Sequence, residues 1–125
     1  MEFPEQFDWV QECLKCSLEG AFQTLHEVID NDVKTMNRER PEIKIHLESM
    51  VGGKFAVRKG DAPIAAVFEL DFETRSINVR HGNKTIFAAK PEMCPDGECR
   101  LKVNSEYLRF WQVSKKALEE LWFKN

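Results

Sequence analysis

Four cysteines carry the most reactive chemistry in the chain, as Cys13 and Cys16 in C-L-K-C and Cys94 and Cys99 in C-P-D-G-E-C. A closed zinc site takes four thiolates, and two thiols at i and i+3 of a helix can share one ion. The same residues could instead be redox-active or disulfide-bonded thiols, or small hydrophobes that do no chemistry. Two features weigh against zinc on Cys13, Cys16, Cys94 and Cys99. Neither pair lies in a knuckle-and-ribbon context, and a long stretch of chain divides them. Pro95-Asp96-Gly97 also favours a type I turn closed by a left-handed glycine, which sets Cys94 opposite Glu98 and turns Cys99 to the other sheet face. Structural or surface cysteines are the leading reading, with zinc or thiol chemistry as the alternative. No other cofactor is implied.

A second set could bind anions or nucleic acid. Strand alternation places Lys44, Lys54, Arg58, Arg80 and Lys102 on one sheet face with Phe87 as a stacking plane. Glu48, Glu69 and Asp71 interrupt that positive field, and a solvated sheet face carries mixed charge in any case, so nucleic acid is disfavoured. His46, Glu48, Glu69 and Asp71 could act as an acid/base group only in a concave, water-poor setting, which an open face does not supply. His26 and His81 have no ligand spacing. Val51-Gly52-Gly53-Lys54 lies between two strands and reads as a two-residue hairpin turn, not a phosphate loop. No Gly-x-Ser-x-Gly, His-Glu-x-x-His or Gly-x-Gly-x-x-Gly occurs, so the sequence leans away from an enzyme.

The elements that must position these residues follow from hydrophobic periodicity. From about residue 4 to 37 a 3.6-residue period puts Phe3, Phe7, Val10, Leu14, Leu18, Ala21, Phe22, Leu25, Val28, Ile29, Val33 and Met36 on one stripe of a long helix. Trp9, Cys13, Cys16 and Gly20 form a second short face. From Ile43 the period becomes two, through Ile45 and Leu47, Phe55 and Val57, Ile64 to Phe72, Ile77 and Val79, residues 85–88, and Leu101 and Val103. The connections are too short for crossover helices, which predicts an antiparallel meander of five or six strands. Asn104 or Ser105 caps a final helix to residue 123, around which Phe110, Trp111, Trp122 and Phe123 are spread. The fold class is α+β, one domain over residues 1–125 with both helices on one sheet face.

The chain has 125 residues, 42% hydrophobic and 31% charged, a net charge of -3, and no apolar run long enough to span a membrane. Residues 1–32 hold eight acids and one base, and the remainder is mildly basic, so the charges complement one another internally. The first residues lack a secretory pattern, and the expected setting is the cytoplasm, where thiols stay reduced unless they bind metal or do redox work. A helix apolar on more than one side is sandwiched or shared with another chain. Trp9, Cys13, Cys16, Gly20, Phe110, Trp111, Trp122 and Phe123 are therefore the expected contacts of a homodimer, with core packing inside a monomer as the competing reading. The function expected is a small soluble non-enzymatic binding or protein-interaction module.

Overall fold

The computed structural model describes residues 8–60, 62 and 64–123. Its first helix, α1, runs Trp9–Lys15, and the Asp8 carboxylate caps it by accepting from the Gln11 N–H at 3.1 Å. The expected helix over residues 4–37 is therefore two helices. Phe3, Pro4 and Phe7 lie outside the described residues. The break comes at Cys16 and Ser17. Ser17 Oγ donates to the Leu14 carbonyl at 2.8 Å and accepts from the Gly20 N–H at 3.0 Å, closing α1 and capping α2, Leu18–Glu39, with one hydroxyl. Gly20 permits this corner, since a Cβ there would stand 2.4 Å from the Leu14 carbonyl oxygen.

Along α2 the 3.6-residue stripe holds as expected, and Ala21, Leu25, Ile29, Val33 and Met36 are buried. At its end the Asn37 amide binds strand β1 as a strand neighbour would. Its Nδ2 donates to the Ile45 carbonyl at 2.9 Å and its Oδ1 accepts from the Ile45 N–H at 2.8 Å. From there the chain is a meander of seven antiparallel strands in sequence order: β1 Ile45–Met50, β2 Lys54–Lys59, β3 Ala65–Asp71, β4 Ser76–His81, β5 Lys84–Met93, β6 Cys99–Val103 and β7 Glu106–Leu108. Three residues, Val51 to Gly53, separate the paired Met50 and Lys54, one more than the expected turn.

The additional strand is β7. Asn104 and Ser105 are not a helix cap but the two-residue turn between Val103 and Glu106, with Asn104 at φ +58°. The last helix, α3, covers Phe110–Phe123. It starts where the Gln112 side chain accepts from the Arg109 N–H at 2.8 Å while the Arg109 carbonyl accepts from the Gln112 N–H at 3.0 Å.

Both long helices cover one sheet face. Phe55, Val57, Phe68, Ile77, Val79, Leu101 and Val103 meet the α2 stripe and Val113, Ala117, Leu118 and Trp122 of α3. Phe55 stacks on Phe68 at 4.7 Å, and His26 meets the Phe55 ring edge-on at 4.8 Å, which gives that histidine a packing role. Phe87 also belongs to this core. The β4–β5 ladder pairs Val79 with Phe87 and Arg80 with Thr85, and this bulge turns Phe87 away from the open face where simple alternation put it. Three bonds set α3: Ser114 Oγ to Asp32 Oδ2 at 2.6 Å, His81 Nε2 with the Ala117 carbonyl at 2.7 Å, and Lys59 Nζ to the Trp122 carbonyl at 3.2 Å. No helix among the described residues is long and apolar enough to cross a membrane.

Gly20→Ala should lower stability by about 1–3 kcal/mol, because the added methyl meets backbone that cannot withdraw without opening the α1–α2 corner. Urea unfolding checks this, and an unchanged midpoint would contradict the account of the corner.

Candidate functional site

Three groups of residues carry the chemistry. The cysteines lie where α1, α2 and β6 meet. Cys16, between the two helices, is bonded to Cys99 at the start of β6, with an S–S distance of 2.09 Å and Cα atoms 5.4 Å apart, within the usual range for a disulfide. This pairing joins one member of each motif, whereas sequence proximity groups Cys13 with Cys16 and Cys94 with Cys99. The tip of the β5–β6 hairpin has the expected geometry. The Cys94 N–H donates to the Glu98 carbonyl at 3.0 Å, the Gly97 N–H donates to the Cys94 carbonyl at 2.9 Å, and Gly97 has φ +84°. Met93 pairs with Cys99, so Cys94 faces the other way from Cys99. Cys94 is a buried free thiol and Cys13 an exposed one. The set Cys13, Cys16, Cys94 and Cys99 is thus a disulfide and two separate thiols, and no cluster of three or more His, Cys, Asp or Glu suited to a metal occurs among the described residues.

The same hairpin holds a charge cluster. Arg100 Nη2 reaches Asp96 at 2.7 Å and Glu98 at 3.1 Å, and Arg109 Nε reaches Glu98 at 3.1 Å. The Glu98 backbone N–H, with the Arg100 guanidinium second, holds the Asp96 carboxyl below its ordinary value of 3.8.

On the open sheet face, the basic residues expected to meet an anion are largely paired with the chain's own acids. Arg80 and Lys54 both reach Glu69, at 3.0 and 3.7 Å, and Arg58 reaches Glu48 at 3.8 Å. The Lys102 ammonium lies 5.5 Å from the Tyr107 ring centroid. Lys44 stands in the turn before β1 at φ +57°, and Phe87 is on the opposite face with Lys116 5.7 Å over its ring. Of the proposed acid/base residues, Asp71 caps its own turn by accepting from the Glu73 and Thr74 N–H groups. Glu48 and Glu69 serve ion pairs, and His46 is exposed. These residues are occupied in holding the sheet surface.

The third group is apolar. Helix α1 has no buried residue, and Trp9, Val10 and Leu14 are 65%, 47% and 66% exposed. Val10 and Leu14 thus leave the core stripe expected of them, because the break at Ser17 restarts the helical phase. Cys13 is exposed beside Trp9, while Gly20 faces the α1 backbone and is occupied by the corner. At the other end of the chain, Trp111 and Phe123 are 56% and 65% exposed. Phe110 packs half-buried against the core. Trp122, expected at an interface, is buried, and its Nε1–H has no partner among the described residues. A groove of about 300 Å³ between α2 and α3 is lined by Asp32, Trp111, Leu118, Trp122 and Phe123, and a second of about 350 Å³ continues past Met36 and Arg40. The groove depends on the Asp32–Ser114 bond, a tie across 82 residues that no local pattern marks.

A scan of protein-family models, a search of curated proteins and a search of solved structures each found no match to this chain.

Asp96 gives the hairpin tip a defined acid limit. Its folded value lies below the unfolded one, so the bonds it accepts stabilise the tip fully above pH 3.8 and are lost as pH falls through the lowered folded value. Exchange of the Glu98 amide should accelerate over that acid range relative to the amides of β6, and Asp96→Asn should remove the dependence. A flat profile in the native protein would contradict it.

Proposed function

We propose that the chain is a non-enzymatic protein-interaction module that works as a homodimer through the outer side of α3. One observation carries this reading: two large aromatics, Trp111 and Phe123, stand exposed at opposite ends of one helix, flanking an apolar groove whose floor is Trp122. Scattered exposed hydrophobes need no explanation, but aromatics around a groove are the usual anchors of an interface.

The charges between those anchors favour a second copy as the occupant. Lys115 and Glu119 sit symmetrically about Ala117, as do Trp111 and Phe123. Two α3 helices crossing antiparallel at that level would set Trp111 against the partner subunit's Phe123, and Lys115 against the partner subunit's Glu119. A two-fold interface must be self-complementary in this way. The Lys115–Glu119 pair within one chain, at 3.1 Å, then becomes part of a four-charge seam. The exposed face of α1 is left for another protein partner. The basic residues of the open sheet face give no comparable support to an anion ligand, since most are already paired.

Light scattering coupled to size-exclusion chromatography should give twice the chain mass of 14.6 kDa at tens of micromolar. Trp111→Asp should raise the dissociation constant by about thirtyfold, corresponding to the ~2 kcal/mol of an aromatic anchor, while Trp9→Asp leaves it unchanged. A monomer at that concentration overturns the proposal.

A further inference from the structure

The Cys16–Cys99 disulfide has a free cysteine, Cys13, one helical turn before it in the chain. The Cys16 N–H donates to the Cys13 carbonyl at 3.1 Å, so the two cysteines are joined across a single turn at the end of α1, and Cys13 is an exposed free thiol. The other free thiol is excluded, because Cys94 is buried and faces away from Cys99. Cys16 also immediately precedes Ser17, the cap of the 22-residue helix α2. A thiolate released there meets the positive end of the helix dipole. Beside it lies a surface cleft of about 570 Å³ lined by Cys16, Ser17, Glu19, Phe72, Arg75 and Pro91, which opens the released Cys16 thiolate to solvent.

We propose that Cys13, Cys16 and Cys99 form a thiol–disulfide exchange site whose entry point is Cys13 and whose substrate is a low-molecular-weight thiol. In the first step Cys13 gives its proton to solvent and its sulfur forms a bond to Cys16 Sγ. The Cys16–Cys99 bond breaks, and its electron pair leaves on Cys99, which takes up a proton. The number of disulfides is unchanged, so no oxidant is needed. The new Cys13–Cys16 bond is exposed at Cys13. A thiolate from solution attacks Cys13 Sγ and expels Cys16 as a thiolate at the α2 N-terminus. A second molecule of the thiol attacks the mixed disulfide, leaves with the first as its disulfide, and returns Cys13 as a thiol. In sum, two thiols are oxidised and the Cys16–Cys99 bond is reduced.

The inference is independent of dimerisation. Its test uses the oxidised full-length protein, reduced glutathione as the probe, and acid-quenched alkylation with mass mapping of every cysteine. Wild type should first release Cys99 as a free thiol and then pass through a glutathione adduct on Cys13, with Cys16 freed as that adduct forms. Cys13→Ser, an exposed change that leaves folding intact, should slow the exposure of Cys99 at least about tenfold, and Cys94→Ser should not. A Cys13→Ser rate within about twofold of wild type, or adducts on Cys16 or Cys99 without one on Cys13, overturns the proposal.

Discussion

The packing of one stripe of α2 on one face of the sheet is the contact on which the other parts depend. Leu25 and Ile29 are fully excluded from water against Phe55, Phe68 and Ile77. Burying each such aliphatic or aromatic side chain contributes about 1.5–3 kcal/mol, whereas an exposed ion pair contributes ~0–1 kcal/mol. The helix-covered face therefore dominates stability, and the ion pairs of Glu48 and Glu69 mainly keep the other face soluble. Helix α3 is secondary to this core. It is positioned against α2 by Asp32 and against strands β2 and β4 by Lys59 and His81, so any groove it shapes depends on α2 being seated first.

Much of this was legible because periodicity reports burial. The apolar spacing of α2, the alternation of β3 and the short connections were enough for an α+β meander with its helices on one side. What escaped was local chemistry that leaves periodicity undisturbed. Ser17 caps a new helix in the middle of a continuing apolar repeat, so Val10 and Leu14 looked like core. Glu106-Tyr107-Leu108 fits the first turn of a helix as readily as an edge strand. The β4–β5 bulge reversed the facing of Phe87, and no residue in that segment signals a bulge. Trp122 could not be told from Trp111 by composition, since only the position of α2 decides which of the two is covered.

The cysteines show the same division. The turn at Pro95-Asp96-Gly97 was readable because its conformation is set by the residues in it. The bond between Cys16 and Cys99 was not, because it depends on where α2 crosses the sheet relative to β6. It is a property of the assembled fold, and it leaves Cys13 without the partner that its spacing suggests.

Strand order equal to chain order has a consequence for synthesis. Every strand pairs with the one made just before it, so the sheet can grow by successive hairpins as the chain emerges. The α2 stripe comes first and has no surface to cover until β2 and β3 exist, and Cys16 must wait until residue 99 has been made. The apolar helix therefore stays exposed until residue 71 has been made and the thiols of Cys13 and Cys16 stay open until residue 99, the intervals in which the chain is most vulnerable to aggregation and to pairing Cys13 with Cys16.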